Sequence, residues 1–168
     1  MSEVVNVGVA EIKIACNSSI LASFGLGSCV AVAMFDPFKK MGGLAHVMLP
    51  DSHGKEIDTA AGKFADTAVA RLVEELVAMG ARKSCLRCKI VGGAQMFEIF
   101  TARRGDRAND PPAHIGARNV EAVKRQLEKL NIPLEGEDTG GDHGRTVKFN
   151  PCTGEVEVSS IKHGLLVI

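Results

Sequence analysis

The chain contains no tryptophan and no tyrosine, and phenylalanine alone supplies its 4% of aromatic residues. Modules that bind single-stranded nucleic acid stack bases on aromatic rings, so this scarcity argues against a nucleic-acid partner. Neither sign of charge dominates: 20 Lys and Arg stand against 20 Asp and Glu, for a formal net charge of zero. Neither a polyanion nor an anionic membrane surface is favoured by that balance. No uninterrupted apolar stretch approaches the roughly 18 residues of a spanning helix, so no membrane insertion is expected. Residues 1–6 lack a basic stretch leading into an apolar core, and no signal peptide is expected. The five cysteines, an odd number at irregular spacing, make a poor disulfide framework. Free thiols in a reducing, cytoplasmic compartment are the expectation.

What is present suits one domain over residues 1–168, with 45% hydrophobic content and a length that buries a core without covalent staples. Residues 4–14 alternate loosely and are rich in Val and Ile, as in a strand. Residues 24–29 form a glycine-bearing turn that leads into the apolar run 30–35. Asp36-Pro37 marks a turn, and residues 42–49 read as the next strand, stopped by Pro50. The two runs predict a hairpin. Phe64, Ala68, Leu72, Leu76 and Met79 lie at helical spacing and predict a helix over 59–79, with Gly80 as its C-terminal cap. Residues 85–91 read as a buried strand ending at Gly92-Gly93. Residues 102–113 are polar, contain Pro111-Pro112 and predict a surface loop. A second stripe through Val120, Val123, Leu127 and Leu130 predicts a helix over 115–130; Pro133 prevents its continuation. Residues 146–150 and 155–161 alternate with period two around a Cys152-Thr153-Gly154 turn. Each amphipathic helix needs a sheet face to cover. The expected fold is therefore α+β, a single layered domain with a mixed or mainly antiparallel sheet and two main helices.

Cys29 is the first candidate for chemistry. It follows Gly25-Leu26-Gly27-Ser28, where glycines let the backbone turn tightly and approach a ligand. Backbone amides around Gly27 and Ser28 would suit an oxyanion. A thiol with an unperturbed pKa of about 8.5 is mostly protonated at neutral pH and needs a base. His46, 17 residues on in the next apolar run, reaches the same end of the predicted hairpin. Ser23 is a third candidate, able to fix the imidazole through its hydroxyl. Each has a plainer alternative: a buried small thiol, a core histidine bonded to a carbonyl, a turn serine. The Cys85-x-x-Cys88 spacing lacks a second pair for zinc, and His53, His114, His143 and His163 are scattered. Neither a Rossmann fingerprint nor a Walker lysine motif is present. No metal or organic cofactor is expected. The glycine-rich stretches 92–97 and 138–145 read as turns that wall a cleft or dock a partner.

Taken in order, several stretches resemble one family. Ser23-Phe24-Gly25-Leu26-Gly27-Ser28-Cys29 and Gly43-Leu44-Ala45-His46-Val47-Met48-Leu49-Pro50 are similar to two hallmark stretches of the chemoreceptor glutamine deamidases, CheD. The similarity continues through Lys89-Ile90-Val91-Gly92-Gly93-Ala94-Gln95-Met96-Phe97, Ile115-Gly116-Ala117-Arg118-Asn119-Val120 and Asp138-Thr139-Gly140-Gly141. The resemblance implies an enzyme that converts selected glutamines on the cytoplasmic helices of chemotaxis receptors to glutamate. It implies a layered fold akin to deamidating toxins, and Cys29 and His46 as the catalytic pair. The family's third residue is typically threonine; Ser23 keeps the hydroxyl and lacks the methyl. Many members also bind a CheC-type phosphatase, which leaves a regulatory binding module as an alternative. The pair alone also leaves open another thiol amidase or transferase, or a non-catalytic domain with buried thiols.

Overall fold

The structure is a computed structural model that describes residues 2–54, 60–96 and 114–168. The loop expected over 102–113 lies outside the described residues, as do Thr59 and Phe97. Among the described residues, ten strands form two mixed sheets of five strands each. One sheet has the order β1 (Val4–Asn6), β3 (Ile20–Leu26), β8 (Arg145–Phe149), β9 (Val156–Ser160) and β10 (Gly164–Val167). The other runs β2 (Ile12–Ala15), β5 (Met41–Val47), β4 (Val30–Asp36), β6 (Arg87–Gly92) and β7 (Leu134–Thr139). The β1–β3 and β6–β7 pairs are parallel and the others antiparallel. Two helices, α1 (Ala65–Ala78) and α2 (Ile115–Lys129), cover the outer face of the second sheet. The fold is α+β with two main helices, as expected, and its strands divide between two sheets.

The central strand β4 is buried along its whole length because both of its faces are covered, which is why it reads as a continuous apolar run. Val30, Val32 and Met34 join the core under the helices, with Leu72 and Leu76 of α1 and Val123 and Leu127 of α2. Burying a leucine fully contributes about 1.5–3 kcal/mol. Ala31, Ala33 and Phe35 face the other sheet and meet Leu21, Val147 and Phe149. The Phe35 and Phe149 rings lie 6.1 Å apart between centroids. Small residues on this face of β4 allow the two sheets to approach.

The predicted hairpin forms: β4 and β5 pair antiparallel, with Ala31 opposite His46. The β8–β9 hairpin also forms, its turn closed by the Gly154 amide on the Asn150 carbonyl at 2.8 Å. Gly80 ends α1 with φ +112, and the Ala81 amide donates to Leu76 O at 2.9 Å. Asn131 ends α2 in the same way, with φ 58 and Ile132 N donating to Leu127 O.

Two elements differ from the expectation. The first helix starts at Ala65, after a short 3-10 turn (Ala61–Lys63) and an extended Phe64. Here the amides of Met48 and Leu49 both donate to Lys63 O, at 2.9 and 2.8 Å, and Ala65 N donates to Leu49 O. Backbone groups that a longer helix would use are instead spent on pinning the chain after β5. The single strand expected over 4–14 is two strands in different sheets. Val7 N donates to Ala22 O in the first sheet, while Ala10 N donates to His46 O in the second. The crossing occurs between them, through Ala10 at φ 67. Alternation of residue types does not reveal a crossing between sheets, and this one places Val7 over the candidate site.

A candidate thiol–imidazole site

Cys29 sits one residue before β4, and His46 lies near the end of β5. The ladder places Ala31 opposite His46, so Cys29, two residues earlier, shares the inter-sheet face with the imidazole. Cys29 lies one residue beyond the last ladder pair, Val30 opposite Val47, on the side of the sheet that the imidazole also faces. This is the register that the sequence left undetermined. Cys29 is half-buried and His46 is buried, which gives the sulfur the solvent side of the pair.

The ring of His46 is held from behind. Its Nδ1 lies 3.2 Å from Val7 O, and a carbonyl only accepts, so Nδ1 carries the proton and donates. In the neutral ring Nε2 is then the free base. The Ser23 hydroxyl donates to the same Val7 oxygen at 2.8 Å. Ser23 is thus linked to the imidazole through a shared backbone carbonyl. Val7 itself is fully buried and tied to β3 through Ala22.

Burial disfavours the charged form of both side chains. Burial pushes the Cys29 thiol above its ordinary value. Burial also pulls His46 below the usual imidazole value, against the opposing influence of the Val7 carbonyl and the Glu11 carboxylate. Among the described residues no hydrogen bond joins the sulfur to the ring. A thiol and an imidazole each biased towards the neutral form suit proton transfer from sulfur to ring during attack on a substrate.

The loop bearing Cys29 is fixed by its carbonyls. Ala94 N donates to Gly27 O at 2.9 Å, and Gly93 N donates to Cys29 O at 2.8 Å. The Asn119 side-chain nitrogen donates to Ser28 O at 3.0 Å. Among the described residues the amides of Ser28 and Cys29 donate to no protein acceptor, so they remain available to an oxyanion. Gly92 makes the approach feasible: it has φ +118, and a Cβ there would stand 2.2 Å from Cys29 O. The second glycine-rich stretch supports the first, with Gly140 N donating to Gly92 O and Gln95 N to Gly141 O. Arg145 anchors that loop through Gly140 O at 2.8 Å and Asp138 at 3.1 Å.

The remaining candidates lie elsewhere. Cys88 is buried in the core under the helices, where desolvation drives its thiol far above its ordinary value. Cys85 lies in the short 3-10 turn before β6. His143 and His163 meet edge to face, with centroids 4.4 Å apart. The described residues contain no cluster of three or more His, Cys, Asp or Glu placed to hold a metal ion.

Two contributors escaped the sequence reading. Val7 acts through its carbonyl, which no side chain advertises. Asn119 did leave a signal, because it sits on the buried stripe of α2 between Gly116 and Val123. A buried amide on an apolar stripe needs partners.

A thiol and an imidazole share one face, and the amides of Ser28 and Cys29 donate to no acceptor among the described residues; such an arrangement suits a nucleophilic thiol. Comparison with known proteins supplies the family. The family described as CheD chemotactic sensory transduction matches residues 48–160. "Chemoreceptor glutamine deamidase CheD" of Thermotoga maritima is 48% identical over 94% of this chain and 92% of its own length. The protein of the same name from Halalkalibacterium halodurans is 42% identical over 98% of each chain. "Probable chemoreceptor glutamine deamidase CheD" of Desulfitobacterium hafniense is 44% identical over the full length of both. The chain belongs to the CheD family. The family match begins after His46, so for Cys29 and His46 it is the near-complete coverage of these relatives that reaches the site.

Proposed function

We propose that this protein is a chemoreceptor glutamine deamidase in which Cys29 is the nucleophile and His46 the general base. The observation that supports the site assignment is the register of Ala31 opposite His46, which puts Cys29 and the imidazole on one face, with the ring's Nδ1 bonded to Val7 O. Residues 1–168 act as one domain, in the cytoplasm, on the cytoplasmic helices of chemotaxis receptors. Within the described residues no helix is long and apolar enough to cross a membrane.

As the Cys29 sulfur bonds to the carboxamide carbon of a glutamine, its proton passes to Nε2 of His46. The tetrahedral oxyanion is received by the amides of Cys29 and Ser28; a good donor of this kind contributes about 2.7–4 kcal/mol. The C–N bond then breaks, and the imidazolium proton leaves with ammonia. Water attacks the resulting thioester and gives a proton to His46. The C–S bond breaks, the sulfur regains a proton, and glutamate is released. The sum is carboxamide plus water to carboxylic acid plus ammonia. The Val7 carbonyl keeps the imidazole in the tautomer that these steps require, and the Ser23 hydroxyl helps to fix that carbonyl.

A protein substrate suits the surroundings. Phe24, between Ser23 and the nucleophile loop, is exposed, as are Met48 beyond His46 and Met96, whose side chain lies close over Gly27. This apolar rim fits an amphipathic helix better than a free amino-acid amide. A CheC-type phosphatase is a second partner for the same rim. Ammonia release from receptor cytoplasmic fragments tests the activity: the wild-type protein releases it, and Cys29→Ala, though folded, does not. Equal release by both proteins would remove Cys29 from the mechanism.

A further inference from the structure

The last ladder pair of β4 and β5 is Val30 opposite Val47. The functional ends lie beyond it. The Ser28–Cys29 peptide precedes Val30, and Met48 follows Val47, two residues past His46. A side chain from α2 supplies the missing rung. The Nδ2 of Asn119 donates at 3.0 Å to Ser28 O and at 3.0 Å to Met48 O. One nitrogen thus ties the chain carrying the nucleophile to the chain carrying the base. Asn119 is fully buried, and among the described residues its Oδ1 has no hydrogen-bond partner. The position therefore uses the two donors of the amide and leaves its acceptor unmatched, which is a poor choice for stability alone.

Holding Ser28 O has a second consequence. A peptide is planar and trans, so the Ser28 carbonyl and the Cys29 N–H point in opposite directions from one rigid unit. Fixing that oxygen also fixes the aim of the Cys29 amide at the site of the oxyanion.

We propose that Asn119 is a positioning residue for the reaction, setting the distance between Cys29 and His46 and the direction of the Cys29 amide. The proposal rests on the deamidase reading given above. Asn119→Ala is expected to lower kcat by about 10²-fold, the scale of a 1 Å misplacement at a reacting centre, with little change in KM. Val123→Ala, a buried change on the same helix away from the site, is the control for loss of helix packing and should leave both constants near wild type.

Alkylation of Cys29 by iodoacetamide at pH 7 separates this proposal from the reading beneath it, since it needs no receptor. The wild-type protein should react faster than His46→Ala, and Asn119→Ala should fall towards the His46→Ala rate while Val123→Ala does not. If the wild-type and His46→Ala proteins react equally, the imidazole does not assist the thiol, and the deamidase mechanism fails together with the proposal. If His46 assists but folded Asn119→Ala alkylates and turns over like wild type, only the positioning role is overturned. Should the alanine variant not fold, Asn119→Asp is judged by the same ratio. It preserves the side-chain shape and, when ionised, lacks both donors.

Discussion

Single atoms at this site decide protonation. The Val7 carbonyl accepts from Nδ1 of His46 and leaves Nε2 unprotonated in the neutral ring, and burial disfavours the charged forms of ring and thiol. Activity should therefore be retained below the ordinary imidazole pKa of 6.5, because His46 titrates lower. The acid limb of kcat/KM should lie on the acidic side of that value; a limb at or above it would contradict the neutral pair. His46→Ala should lower kcat by about 10²–10⁴-fold, the usual contribution of a positioned base. Ser23→Ala removes one donor from Val7 O but leaves the imidazole bond in place. It should cost about 1 kcal/mol in denaturant titration, the net worth of one hydrogen bond, and lower kcat less than His46→Ala does. Residue type and spacing marked Cys29 and His46 as candidates, and the fold brings the two to one face. Val7 was not, because a backbone carbonyl has no sequence signature.

At the level of elements, the site is built where regular pairing stops. The loop of Gly27, Ser28 and Cys29 is shaped by bonds from Gly93, Ala94 and Asn119, on segments distant in sequence. Gly92→Ala tests this support directly. The added Cβ would meet Cys29 O at 2.2 Å on a backbone with φ +118, so the backbone must move and carry Cys29 with it. Substitution at such an incompatible conformation destabilises by more than about 1 kcal/mol. Thermal unfolding should register that loss, and Cys29-dependent turnover should fall in the protein that remains folded. The β4–β5 hairpin and both helices could be read from the sequence because hydrophobic period and caps are local signals. Strand β7 (Leu134–Thr139) could not, since its residues are mostly polar or partly exposed and its order comes from parallel pairing with β6. The split of residues 4–14 was hidden for a related reason: both halves carry the same alternating pattern, and only tertiary pairing assigns them to different sheets.

Across the whole molecule, burial of titratable groups couples stability to pH. His46 has a folded pKa below its ordinary 6.5, so below that pH the unfolded chain takes up a proton that the folded chain resists. This contribution is present above 6.5 and is lost as pH falls through the folded pKa. Cys29 and Cys88 are held above the ordinary thiol value, so as pH rises past that value the unfolded chain releases protons first and stability declines. Thermal midpoints measured across pH should fall on both sides of a neutral plateau. His46→Gln should flatten the acid side; an unchanged acid slope in that variant would show that other groups govern it.

The layered architecture brings a thiol from the edge of one strand and an imidazole from the next to one face, with the exposed Met96 close over Gly27 in the loop before Cys29. The most direct test is peptide mass spectrometry of receptor cytoplasmic fragments incubated with the protein. Conversion of a glutamine to glutamate adds about one dalton, as expected for amide hydrolysis through an acyl-enzyme. The wild-type protein should produce that gain at defined glutamines, and Cys29→Ala should produce none. A folded wild-type protein that leaves every glutamine unchanged, or a Cys29→Ala protein that modifies the same residues, would contradict the deamidase assignment.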